Sequence, residues 1–149
     1  MSIFSQEDCK IKFFDNGFVA YYQGDHETWK VEKTDIKVVS HFSGVNGDND
    51  TDMVVFIDKQ GKRYSIDLDL GISNRGEVIK WLIENFNYKK IKDLPNDETP
   101  RVIYPPELFG EKPFNNSIRT WLIRHFIHKG DGMVNNKIKE YLNKNGKTS

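Results

Sequence analysis

The chain has 149 residues, 37 % of them hydrophobic and 13 % aromatic, and its 22 basic and 22 acidic side chains cancel. That length suits one domain, or a small domain with an appendage, and its large apolar side chains suffice for a packed core. The charge balance excludes an overall field aimed at nucleic acid or a membrane, and the aromatic content excludes disorder on composition.

The single cysteine, Cys9, excludes an internal disulfide. The opening residues Met-Ser-Ile-Phe-Ser-Gln-Glu-Asp lack the basic flank and apolar run of a secretory signal, and no stretch approaches the ~20 apolar residues that cross a bilayer. The expectation is a soluble cytoplasmic protein. Charge is nevertheless uneven: residues 1–50 are mainly acidic and residues 115–149 mainly basic.

In chain order, residues 10–22 read as a β-hairpin, because Asn16-Gly17 suits a tight turn with positive φ at both positions. Residues 28–32 alternate, with Trp29 and Val31 on one side, and residues 36–42 are rich in β-formers. The polar stretch over residues 43–52 reads as a loop. Residues 53–57 are apolar throughout, which suits a strand covered on both faces. After a turn around Gly61, residues 63–70 alternate again, with Tyr64, Ile66, Leu68 and Leu70 inward. About six strands in seventy residues, with short connections, predict an antiparallel sheet.

A helix is expected over residues 77–88. Asn74 and Glu77 have the spacing of a capping box, and Val78, Ile79, Leu82, Ile83 and Phe86 form one apolar stripe. All five prolines fall between Pro95 and Pro113, so residues 91–114 read as a linker or a wrapping segment, with Val102-Ile103-Tyr104 as a candidate short strand. Two helices are expected in residues 115–149. Ile118, Trp121, Leu122, Ile123, Phe126 and Ile127 form the face of the first, and Val134, Ile138, Tyr141 and Leu142 that of the second. The fold class expected is α+β: a bent antiparallel sheet closed by an amphipathic helix in residues 1–90, then the Pro-rich segment, then the C-terminal helix pair.

Residues 10–88 resemble a bacterial pleckstrin-homology-like domain. The resemblance rests on the Asn16-Gly17 hairpin, the polar lead into Asp35-Ile36-Lys37-Val38-Val39, two further strands with the Gly61 turn, and a closing amphipathic helix. The resemblance implies a PH-like barrel and a binding module without catalysis. It departs from the family in strand number, about six where seven precede the helix. Phosphoinositide-binding members carry bases around the first hairpin turn; here it reads Asp15-Asn16-Gly17, which counts against inositol phosphates.

Asp67 and Asp69 stand two apart, a spacing that puts two carboxylates ~7 Å apart on one strand face. Paired-carboxylate catalysis needs environments that separate their pKa values, whereas Arg63 and Ser65 on the same face suggest a solvated surface. Asp48, Asp50 and Asp52 mimic the start of a calcium loop, but Met53 stands where glycine belongs and Lys59 where the bidentate glutamate belongs. His125 and His128 share a helix face without a third ligand, among the cations Arg124 and Lys129. Cys9, beside Glu7 and Asp8, lacks the positive surroundings that activate a thiol. No phosphate loop, nucleophile elbow or zinc-protease motif occurs. No catalytic residue, metal site or cofactor is therefore expected.

The remaining binding candidates are Arg119, Arg124, His125, His128, Lys129, Lys137 and Lys139 on the C-terminal helices. Two short helices joined through Gly130 and Gly132 could act as a helix-turn-helix, with Asn135, Asn136, Lys137 and Lys139 near the start of the second. The expected function is a non-enzymatic protein-binding or regulatory module, in one concrete version an immunity-type inhibitor of a toxin. The alternative is a nucleic-acid-binding regulator that works through the basic C-terminal helices.

Overall fold

The computed structural model describes residues 9–46, 49–70, 72–95, 99–114 and 134–145. The alternating N-terminal segment forms an antiparallel meander of β1 (Cys9–Phe13), β2 (Phe18–Gln23) and β3 (His26–Glu32). The first connection is longer than a two-residue turn. Gly17 N donates to Phe14 O at 3.0 Å and Phe14 N to Phe18 O at 2.9 Å. Gly17 takes φ of 92°, a conformation that costs a glycine little, while Asn16 keeps negative φ and accepts from Phe18 N through its side chain.

A second antiparallel sheet has the order β6-β5-β4-β7, from β4 (Ile36–Asn46), β5 (Asn49–Asp58), β6 (Arg63–Asp67) and β7 (Arg101–Tyr104). The fold is α+β. No ladder joins the two sheets among the described residues, and they do not close into a barrel. A side chain links them: the Trp29 indole on β3 donates to Ser65 O on β6 at 3.0 Å.

The second sheet is covered on both faces, and β5 shows how. Val54 and Phe56 enter a core shared with the meander (Ile11, Val19, Tyr21, Val31) and with Val78, Leu82 and Phe86 of α1 (Arg75–Phe86). Met53, Val55 and Ile57, on the opposite face by strand alternation, enter a second core. There they meet Val38, Phe42 and Val102 of the sheet, with Ile138 and Leu142 of α2 (Asn136–Asn145). Two flanking layers therefore explain the unbroken apolar run of β5.

Several expectations need correction. Residues 43–46 and 49–52 are strand, not loop: β4 and β5 stay paired out to Asn46↔Asn49, since ladder hydrogen bonds use the backbone and tolerate polar side chains. β6 ends at Asp67, and Leu68–Leu70 is a 3-10 turn, so Asp69 is not on the strand. Arg63 and Ser65 are not solvated; they are buried, with the Arg63 guanidinium 5.4 Å from the Phe114 ring. The helix spans Arg75–Phe86 and stops at Asn87, whose φ of 68° is left-handed; Tyr88 opens a following 3-10 turn. The Asn74 side chain makes no capping hydrogen bond to the helix backbone, although the backbone carbonyl of Asn74 accepts from Val78 N at 3.1 Å. Its side chain instead clamps β1, accepting from Ile11 N at 3.1 Å and donating to Ile11 O at 2.6 Å, and it also donates to Glu77 Oε1. In the Pro-rich stretch, residues 101–104 become β7, paired with β4, and Val102 and Ile103 are fully buried in opposite cores.

Candidate functional site

The β1–β2 connection packs three phenylalanines around a tight bend. Ile11 and Val19 point into the first core, while Phe13, Phe14 and Phe18 are only half-buried. On α1, residues 77, 80, 81 and 84 recur three and four apart and so share a face beside the buried Val78, Leu82 and Phe86 stripe. The two elements meet at Phe13 and Trp81, whose ring centroids lie 5.1 Å apart. Between them runs a groove of about 340 Å³, lined by Phe13, Phe14, Phe18 and Trp81, with Lys33, Glu77, Lys80 and Glu84 also bordering it. Lys33 is held at the bend by its backbone N, which donates to Gly17 O at 2.9 Å. Lys30 Nζ lies 4.8 Å from the Phe14 ring and 5.2 Å from the Phe18 ring, a cation–π arrangement. Among the described residues Lys33, Lys80 and Glu84 form no ion pair.

A second constellation lies on the β4–β5 ribbon. His41, 7 % exposed, meets Asp52 Oδ1 through Nε2 at 2.6 Å. The other carboxylate oxygen accepts from Tyr88 OH at 3.2 Å and lies 3.9 Å from Arg75 Nη2. Burial, reinforced by the Asp52 charge, pushes the Tyr88 phenol up from its ordinary value. The Tyr88 ring also meets the His41 ring edge to face at 5.8 Å. Arg75 Nε donates to Leu68 O, and Asp52 N donates to Asp67 Oδ1 at 3.4 Å. This node ties the ribbon to the first residue of α1 and to the 3-10 turn that follows it, and it holds a His–Asp pair with no nucleophile on the imidazole among these contacts.

The carboxylates singled out in the sequence act locally. Asp67 Oδ1 accepts from Asp69 N at 3.0 Å as well as from Asp52 N, so it closes the turn after β6. Asp52, part of the calcium-loop look-alike, is engaged by His41 and Tyr88; Asp48 lies outside the described residues. No group of three potential metal ligands comes together among the described residues. Cys9 is half-buried; burial first, and the neighbouring Cys9 thiol second, push the Tyr21 phenol upward.

Of the basic candidates, Arg119, Arg124, His125, His128 and Lys129 lie outside the described residues. Lys137 Nζ pairs with Glu111 Oε2 at 3.2 Å, while Lys139 is exposed. Asn135, offered for base recognition, caps α2 by accepting from Lys137 N at 2.8 Å. With Ile138 and Leu142 in the second core, α2 is a packed layer of the sheet. Sequence reasoning missed the groove and the His41 node. The available signals were the adjacent Phe13-Phe14, which cannot both face inward on a strand, and a histidine within the β-rich run 36–42.

No protein-family model matches this chain, and neither a curated protein nor a solved structure matches it. No helix among the described residues is long and apolar enough to cross a membrane.

Proposed function

We propose that this chain is a non-enzymatic protein-binding, regulatory module that docks its partner in the groove between the β1–β2 bend and α1. One observation carries this reading: four half-buried aromatic rings line one concavity. Aromatic anchors in such settings dominate protein interfaces, because they remove large apolar areas from water at little conformational cost. The concrete version is an immunity-type protein of the bacterial cytoplasm that covers a toxin's active site. A PH-like ancestry agrees with two antiparallel sheets and an amphipathic helix, and the bend Asp15-Asn16-Gly17 disfavours phosphoinositides.

The experiment is capture of partners from native lysate by the tagged full chain and by Phe14→Ser/Phe18→Ser, each with and without nuclease. One dominant protein that survives nuclease and is lost by the double variant is expected. Capture that disappears with nuclease and is unaffected by the double variant would overturn the reading. It would favour nucleic-acid binding through Lys139 and the basic residues between 119 and 129.

A further inference from the structure

We propose that the groove's occupant is an amphipathic segment of a protein partner with an apolar ridge, basic side chains along the α1 flank and acidic side chains along the β1–β2 flank. This rests on the groove being the docking site and goes further by assigning the chemistry of what fills it.

The two rims differ in charge. On α1, Glu77 and Glu84 bracket Trp81 one turn before and one turn after it, seven residues or ~10.5 Å apart along the helix, with Lys80 between them. Two carboxylates therefore face one ammonium. On the opposite flank stand Lys33, held to Gly17, and Lys30, seated over the Phe14 and Phe18 rings. On this side an ammonium, Lys33, borders the groove, and no carboxylate is among its lining residues. The whole chain is neutral, so this polarity is local to the groove.

Most of the rim charges are also unspent. Glu77 is hydrogen-bonded only to Asn74, and Lys33, Lys80 and Glu84 have no ion-pair partner among the described residues. An occupant seated on the four rings strips water from this rim. Removing water from a charge is costly unless an opposite charge replaces it. A base on the α1 flank meets Glu77 or Glu84 and can lie over the Trp81 ring, which favours arginine, with its planar, weakly hydrated guanidinium. An acid on the other flank meets Lys33 without displacing Lys30 from its aromatic seat. An apolar ridge with opposite charges on its two sides is the pattern of an amphipathic segment, and it fits in one orientation only.

The test is selection from a displayed library of amphipathic peptides with a constant Leu/Phe ridge and flanks randomised among Arg, Lys, Asp, Glu and Ser. The bait is the full chain, and Phe14→Ser/Phe18→Ser is the counter-bait. The expected winners carry bases on one flank and acids on the other. They should bind Glu84→Lys and Lys33→Glu each about threefold to tenfold more weakly, with the loss reduced by raised salt. Winners that need Phe14 and Phe18 but have unbiased flanks would overturn the charge assignment and leave the groove as a docking site. Winners bearing bases on both flanks would overturn it in favour of a polycation-binding site. A library that yields no peptide dependent on Phe14 and Phe18 would overturn both.

Discussion

The groove and the His41–Asp52 node are built from similar side chains, and they differ in saturation. At the node each Asp52 oxygen has a partner, the imidazole is buried, and Tyr88 closes the cluster. At the groove the rings stay half-exposed, and three bordering charges find no ion partner in the described chain. A polar cluster that satisfies itself works for the fold, because breaking it leaves buried groups unpaired. An aromatic concavity that does not satisfy itself is open to a second molecule. That contrast is why we propose the docking site at the bend and α1 rather than at the His–Asp pair.

Breaking the node should give the largest effects on stability. Asp52→Ala strands His41 and Tyr88 together and should cost about 3 kcal/mol, read as a lowered urea midpoint. Tyr88→Phe removes one hydrogen bond to that carboxylate and should cost about 1 kcal/mol in the same titration. pH sharpens the comparison. Burial, with Asp52 and Asp58 close by, raises the Tyr88 and Tyr64 phenols in the fold. The unfolded chain therefore ionises first, near the ordinary value of 10.0, and holds fewer protons than the fold above it. Stability should be level in this respect below pH 10 and fall as pH rises beyond it; Tyr88→Phe and Tyr64→Phe should each flatten that fall in alkaline melting curves. At the groove the order reverses. Phe14→Ser should shift stability by only about 0.5 kcal/mol, since Phe14 belongs to neither core, while it abolishes partner capture. Glu84→Lys should leave the melting temperature almost unchanged and register only in binding.

The legible parts of the fold were those with a local period. The hairpin signal of residues 10–22, the alternation of residues 28–32 and 63–70 and the stripe Val78, Ile79, Leu82, Ile83 and Phe86 yielded elements within a few residues of the observed ones, although the strand stops at Asp67 and Ile83 stays exposed. The continuous apolar run of β5 also indicated two covered faces, and two cores are present. The pairing of residues 43–46 with 49–52 was missed because it is carried by backbone groups, which polar side chains do not advertise. β7 showed only as a candidate among prolines, since four residues carry little periodicity. The site was less legible than the fold. Basic residues drew attention to the C-terminal helices, where Lys137 proves to be paired with Glu111 and Asn135 to be a cap.

The sequence by itself determined the α+β class, the antiparallel order of short strands and the apolar face of α1, because each follows from which neighbouring side chains share a side. Only the tertiary structure decided what lies against that side. It placed Phe114 beside Arg63, joined His41 to Asp52 across the ribbon, clamped Asn74 onto Ile11 and brought Phe13 to Trp81. Alternation within a strand says which residues point together, but not whether water, a sheet or a helix covers them. Burial, ion pairing and the groove itself all depend on that second fact, which is set by contacts between segments distant in the chain.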